Sequence, residues 1–306
     1  MRSILRWNLG TRALELGKRT LTMGVVNVTP DSFSDGGLYL DCPKAVERAQ
    51  RLLEEGADII DIGGESTRPG AKVAVVTDAT SSAVAALQSP SVTEEEELHR
   101  VIPVISELKR NSPAAIISVD TYKSAVARAA VDAGAEIVND VSGFRWDPQM
   151  RQTLASLKCG AILMHMRGRP EQWRTLPPPA DVVQLVKHEL KAWSAAAIAA
   201  GVRPESIVLD PGFGFGKNLE ENYPLLAHFE DLDELGFPLL AGVSRKSMIG
   251  QMLTSEGKAA PVEARLYGTL AAEVALILKG ARIIRTHNVK AAAEAARIAD
   301  IILETQ

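Results

Sequence analysis

The sequence predicts an α/β chain folded as a (β/α)8 TIM barrel, a single domain opened by a short N-terminal hairpin. Three observations carry that expectation. Short apolar runs alternate with amphipathic stretches along nearly the whole chain, the runs number eight, and a polar or glycine-rich cluster closes each run on its C-terminal side. Such alternation implies parallel strands joined by helical crossovers, and eight units in roughly 250 residues fit a closed barrel. An open doubly wound sheet is the alternative that the pattern alone leaves standing.

Taken in order, the opening residues, about 1–20, turn around Asn8 and Gly10 and read as the hairpin. The first barrel strand is Leu21 to Asn27; the others are Asp58 to Ile62, Ala115 to Val119, Glu136 to Val138, Gly160 to Met164, Ser206 to Leu209, Pro238 to Ala241 and Arg282 to Ile284. Between them, Pro43 to Glu55 sets Ala45, Ala49, Leu52 and Leu53 on one helical face, and Asp181 to Ala200 does so with Val183, Leu185, Val186 and Leu190. Gly56, Gly134, Gly201, Gly236 and Gly280 each follow a helical run, where a left-handed C-cap suits glycine. Thr93 and Glu96 have capping-box spacing, so a helix is expected to begin there. The stretch before it, about 73–92, is an inserted βα connection of polar and small residues, read as loop or marginal helix without chemistry of its own.

The chain has 306 residues, 34 Lys and Arg against 38 Asp and Glu, and hence a net charge of −4. That balance excludes a nucleic-acid partner held by bulk positive charge. Two cysteines, Cys42 and Cys159, make neither a disulfide framework nor a CxxC metal spacing. No secretory signal and no run of about 18 apolar residues is apparent, so a membrane is not expected and a reducing cytoplasm fits.

The chemistry collects at the strand ends. Asn27, Gly63, Asp120, Asn139, His165, Asp210, Ser244 and Arg285 each lie at or just past a strand's C-terminal end, which in a barrel is one mouth. Asp120, Asn139, Asp210 and Lys246 offer carboxylates, an amide and a flexible donor, a set suited to a flat heterocycle with ring nitrogens, an amino group and a carbonyl. Asp120 could instead cap the helix that follows. A second set, Asn27, Arg68, Arg285 and His287, matches the oxygens of a phosphate or diphosphate, although His287 could be an ordinary loop histidine. DPGFGFGKN lacks the spacing of a nucleotide loop; its glycines are expected to fold it tightly over a pocket that Asp210 and Phe215 face. His165 has no second His or Cys at ligand spacing and reads as structural, and Cys159 as inert.

Eight segments together resemble the dihydropteroate synthases, within the pterin-binding enzymes: MGVVNVTPDSFSDGG, ADIIDIGGESTRPGA, ISVDTYK, IVNDVSG, LMHMRG, LDPGFGFGK, GVSRKSMIG and RTHNV, in the family's order. The resemblance implies a barrel that condenses 6-hydroxymethyl-7,8-dihydropterin diphosphate with para-aminobenzoate, giving 7,8-dihydropteroate and diphosphate. It implies that Asp120, Asn139, Asp210, Phe215, Lys246 and Arg285 hold the pterin, and that Asn27, Arg68, Arg285 and His287 hold the diphosphate. Asn27 would also contact Mg²⁺. Phe33, Thr67, Pro69 and Ser247 would frame the aminobenzoate, and Asp120, Asp210, Lys246, Arg285 and His287 would carry the catalysis. A homodimer is implied as well. The connection after Gly70 is longer than the family's usual one. A folate-dependent methyltransferase and a non-catalytic pterin-binding relative are the competing readings, and the retained Arg68, Arg285 and His287 set argues against both.

Overall fold

The structure, a computed structural model, describes residues 2–29, 42–65, 92–255 and 257–305. Two short strands, β1 (Leu5–Asn8) and β2 (Ala13–Leu16), pair antiparallel in the expected hairpin. Eight parallel strands follow: β3 (Leu21–Asn27), β4 (Ile59–Gly63), β5 (Ile116–Asp120), β6 (Ile137–Asp140), β7 (Gly160–Met164), β8 (Ile207–Asp210), β9 (Leu240–Ala241) and β10 (Ile283–Thr286). Their order is β8-β7-β6-β5-β4-β3-β10-β9, and a parallel bridge between Leu209 and Leu239 brings β8 to β9. The sheet thus curls into a nearly closed barrel. β9 is shorter than expected because Pro238 has no N–H to give; its carbonyl accepts from Leu209 at 2.9 Å instead.

Helices alternate with the strands: α1 (Cys42–Glu54), α2 (Glu94–Asn111), α3 (Ser124–Asp132), α4 (Met150–Leu157), α5 (Val182–Ala199), α6 (Leu219–Ala227), α7 (Ser247–Met252), α8 (Leu266–Leu278) and α9 (Val289–Glu304). Their ends follow local chemistry. The Asp181 carboxylate accepts from the N–H groups of Val183 and Gln184 and starts α5. Thr93 starts α2 by accepting from Glu96 N at 3.1 Å, but the Glu96 side chain turns to Arg100 rather than back to the cap. The five anticipated glycines all have positive φ, from 78° at Gly236 to 112° at Gly134, which an L side chain resists. The insertion about 73–92 lies outside the described residues except for Val92.

Side chains along each strand alternate between the helices and the lumen. On the helix side, Val26, Ile60, Ile62, Ile117, Val119, Val138, Leu163 and Leu209 join the main core with α1, α2, α3 and α5. In the lumen, Met23, Ile59, Ile137, Ile162, Val208, Leu240 and Ile283 form an apolar floor, closed from below by Trp7, Leu9 and Leu16 of the hairpin. Trp7 is fully buried and its indole N–H donates to the Ser206 carbonyl at 2.7 Å. Gly160 leaves the room this plug requires, since a Cβ there would meet Leu9 at 2.5 Å. Two residues further along the same strands stand Asp61, Asn139, Asp210 and Arg285. One step of the strand period therefore converts a greasy floor into a polar ceiling at the C-terminal mouth.

Candidate active site

Arg285 organises the ceiling. Its Nε donates to Asp61 Oδ2 at 2.7 Å and its Nη2 to Asp120 Oδ2 at 2.7 Å. Asn139 Nδ2 donates to the same Asp61 oxygen at 3.1 Å. Burial works against the guanidinium charge, but Asp61 and Asp120 outweigh it and hold its pKa above the ordinary value. Asp120 is pushed up to about 7 by burial, against the pull of Arg285. Gly63 makes space for Asp120, because a Cβ at Gly63 would sit 3.3 Å from the aspartate's own Cβ. Asp120 does not cap α3. The cap position there belongs to Lys123 without a side-chain bond, and Ser124 N donates to Asp147.

Asp210 closes the opposite side. Its Oδ1 accepts from Gly212 N at 2.7 Å, and burial raises its pKa, opposed chiefly by Lys246. The loop after it turns on Gly212, Gly214 and Gly216, with φ of 64°, 78° and 66°. At Gly212 a Cβ would fall 1.9 Å from the His165 carbonyl, so only glycine fits. Lys217, itself buried, ties the loop by donating to the Gly212 carbonyl at 2.8 Å and the Phe215 carbonyl at 3.3 Å. The loop then presents its Phe213 carbonyl to Lys246 Nζ and sets the Phe215 ring 4.3 Å from that nitrogen. Burial lowers the Lys246 ammonium to about 7, with Asp210 working the other way. Phe215 meets Trp173 edge to face, and Tyr122, Val141, Trp146, Met164 and Met166 complete an apolar wall beside the polar set. A flat ring entering this mouth finds an apolar face and a polar edge.

His287 is half-buried and its Nδ1 lies 3.1 Å from Ser244 Oγ, which also accepts from the His287 backbone N–H. Asn27 ends β3 at the same rim, and Ser247, exposed, begins α7 as expected. Phe33, Thr67, Arg68 and Pro69 lie outside the described residues. His165 is structural: fully buried, stacked on Trp193 at 5.1 Å and paired through Nε2 with Glu189 at 3.0 Å. The Cys159 thiol is pushed up to about 12 by burial, in keeping with inertness.

One feature goes beyond the sequence reading, the pairing of Arg285 with Asp61. The resemblance sets Arg285 against both the pterin and the diphosphate; what it does not contain is the pairing that the structure adds, for Arg285 follows Ile283 on the lumen face and emerges between the carboxylates of Asp61 and Asp120. Asp61 was not singled out at all. The signal was present, since it is the one charged residue in IIDIG, a strand buried at every position.

The pterin-binding enzyme model matches residues 23–287. The chain is 40% identical over 296 residues to a dihydropteroate synthase of Clostridium beijerinckii, covering 96% of this chain and 98% of that one. The chain belongs to the dihydropteroate synthase family. Among solved structures, the Xanthomonas albilineans dihydropteroate synthase with 4-aminobenzoic acid is 42% identical, with a TM-score of 0.84 over 98% of this chain and 99% of that one. The same organism's enzyme in complex with 7,8-dihydropteroate gives 40% and 0.81 over 97% and 98%. The family's members are transferases on a barrel of this kind, and the described parts of the eight segments end at the C-terminal ends of its strands.

Proposed function

We propose that the chain condenses 6-hydroxymethyl-7,8-dihydropterin diphosphate with para-aminobenzoate to give 7,8-dihydropteroate and diphosphate. The observation that carries this reading is the meeting of Asp120, Asn139, Asp210, Lys246 and Arg285 above the apolar floor. Family membership and the aminobenzoate and dihydropteroate bound by the Xanthomonas enzyme support it.

Asn139, Asp210 and Lys246 meet the ring's polar edge while Phe215 lies along its face. The outer edge of Arg285, with Arg68 and His287, receives the diphosphate. The methylene C–O bond breaks first, leaving a cation conjugated with the ring and two electrons on the departing diphosphate oxygen. Asp120 and Asp210 stabilise that cation, and because burial holds both carboxyls high, the arriving positive charge favours their ionised forms. The aminobenzoate nitrogen then attacks the methylene and releases a proton. Phe33, Thr67, Pro69 and Ser247 orient it, and alignment rather than a strong base supplies the rate.

Among the described residues no three His, Cys, Asp or Glu side chains form a preassembled metal cage. The hard amide oxygen of Asn27 suits Mg²⁺ that arrives on a diphosphate, since that ion keeps water and phosphate ligands and takes few from protein. When bound it would offset charge on the departing diphosphate.

The reading includes a cytoplasmic homodimer. No helix among the described residues is long and apolar enough to cross a membrane. The exposed Tyr267 on α8 and Ile298, Ile301 and Ile302 on α9 support an apolar contact with a second copy. Incubating the purified protein with both substrates and Mg²⁺ tests the activity: dihydropteroate and diphosphate should form in equal amounts, and their absence sinks the proposal. Sedimentation tests the dimer.

A further inference from the structure

Asp61 is fully buried at the centre of β4. Its Oδ2 accepts from two side chains carried by strands that do not neighbour β4: Arg285 Nε on β10 at 2.7 Å and Asn139 Nδ2 on β6 at 3.1 Å. Among the described residues its Oδ1 has no hydrogen-bond partner. A buried carboxylate in the lumen is costly, and two donors on one oxygen are what hold it there.

Both donors are thereby oriented. A guanidinium has five N–H groups in a plane, and fixing Nε on Asp61 and Nη2 on Asp120 fixes that plane, so the remaining donors are turned away from that shared edge. An amide is ambiguous by itself, because either end can point either way. An ionised carboxylate only accepts, so Asn139 must turn its NH₂ toward Asp61, which assigns its oxygen as the acceptor left for a ligand.

We propose that Asp61 is a positioning residue that sets the plane of Arg285 and the direction of the Asn139 amide before any ligand arrives. The consequence for ligands rests on the pterin reading above: the site presents an acceptor at Asn139 and donors at Arg285, and favours rings that bring an N–H to the first and an anionic group to the second. Exchanging Asp61 for Asn removes this instruction without a large change of shape, since Asn can donate to the Asn139 oxygen and let that amide turn over. The exchange also leaves Arg285 opposite one carboxylate, Asp120, instead of two, so no buried cation is stranded and the barrel is expected to fold.

The test has a ligand-free arm and a turnover arm. In the first, the Arg285 Nε–H resonance, assigned by its loss in Arg285→Lys, is expected to exchange slowly with water in the wild type and at least about tenfold faster in Asp61→Asn. Equal exchange in the two proteins overturns the proposal. In the second, Asp61→Asn is expected to raise KM for the pterin diphosphate at least about tenfold while KM for para-aminobenzoate stays within about twofold. Equal losses for both substrates, or no loss, also overturn it. Should Asp61→Asn not fold, Asp61→Ser is read in the same way. If the wild type makes no dihydropteroate while its Arg285 resonance behaves as expected, the functional reading falls and the positioning of Arg285 stands.

Discussion

Arg285 Nε donates to Asp61 Oδ2 across 2.7 Å, joining residues 224 positions apart in the chain. The pair puts a cation of β10 over a fully buried anion of β4 and, through Nη2, beside Asp120 of β5. Charge at the mouth is therefore arranged before substrate enters, with one guanidinium shared between two carboxylates.

Arg285→Ala should weaken binding of the bare dihydropterin as well as its diphosphate, because the loss leaves Asp61 and Asp120 without their shared cation. Breaking one side of a buried pair costs about 3–5 kcal/mol, enough to disturb the pocket itself. Calorimetry with the two ligands checks this; a loss confined to the diphosphate form would show that Arg285 acts on the anion alone.

Activity should follow pH as a bell. Burial raises Asp120 to about 7, so its carboxylate forms as pH rises through that region. Burial lowers Lys246 to about 7, so its ammonium is lost over the same range. The rising limb belongs to the first and the falling limb to the second, and kcat/KM for the pterin substrate measures both. Lys246→Arg should abolish the falling limb, since a guanidinium does not titrate there.

Stability should carry a signature of Glu273 on α8. It is 1% exposed, and the Thr286 hydroxyl approaches its carboxylate without completing a hydrogen bond. Burial raises its pKa from 4.5 to about 8. The folded protein therefore holds a proton that the unfolded chain releases, a contribution fully present below 4.5 and lost as pH rises through about 8. Glu273→Gln should match or trail the wild type's stability in acid and exceed it at about pH 9 by on the order of a few kcal/mol, seen as a higher Tm there. Parallel Tm curves for the two proteins would remove Glu273 from this role.

Trp7→Ala should destabilise the barrel by about 3–5 kcal/mol, since the ring fills its lower mouth and leaves a cavity on removal. Its kcat at a temperature where the variant stays folded should change little, because the floor of Ile59, Ile137 and Ile283 separates it from the polar ceiling. Chemical denaturation and steady-state kinetics read the two effects separately.

Asn27→Ala should raise the Mg²⁺ concentration that gives half-maximal activity while leaving binding of the bare dihydropterin near the wild-type value. An unchanged Mg²⁺ requirement would remove Asn27 from the metal's ligands.

Local chemistry made much of this legible. The floor residues and the helix faces follow from periods of two and about 3.6, and Gly56, Gly134, Gly201, Gly236 and Gly280 mark helix ends because only a left-handed backbone completes them. Asp120, Asn139, Asp210 and Lys246 could be placed at one mouth since strand ends in a barrel share it. The hairpin could be drawn from its turn, but not its role as a plug, because nothing local tells Trp7 to seek the Ser206 carbonyl.

By itself the sequence determined the eight-fold alternation, the residues that end each strand and the family those residues describe. Only the tertiary structure decided which of them touch. Closure brings β4, β6 and β10 around one lumen, and a carboxylate removed from water must find donors wherever the barrel supplies them. Asp61 found Arg285 and Asn139, contacts set by barrel geometry across long stretches of chain, and so this partner of the Arg285 guanidinium was invisible until the strands closed.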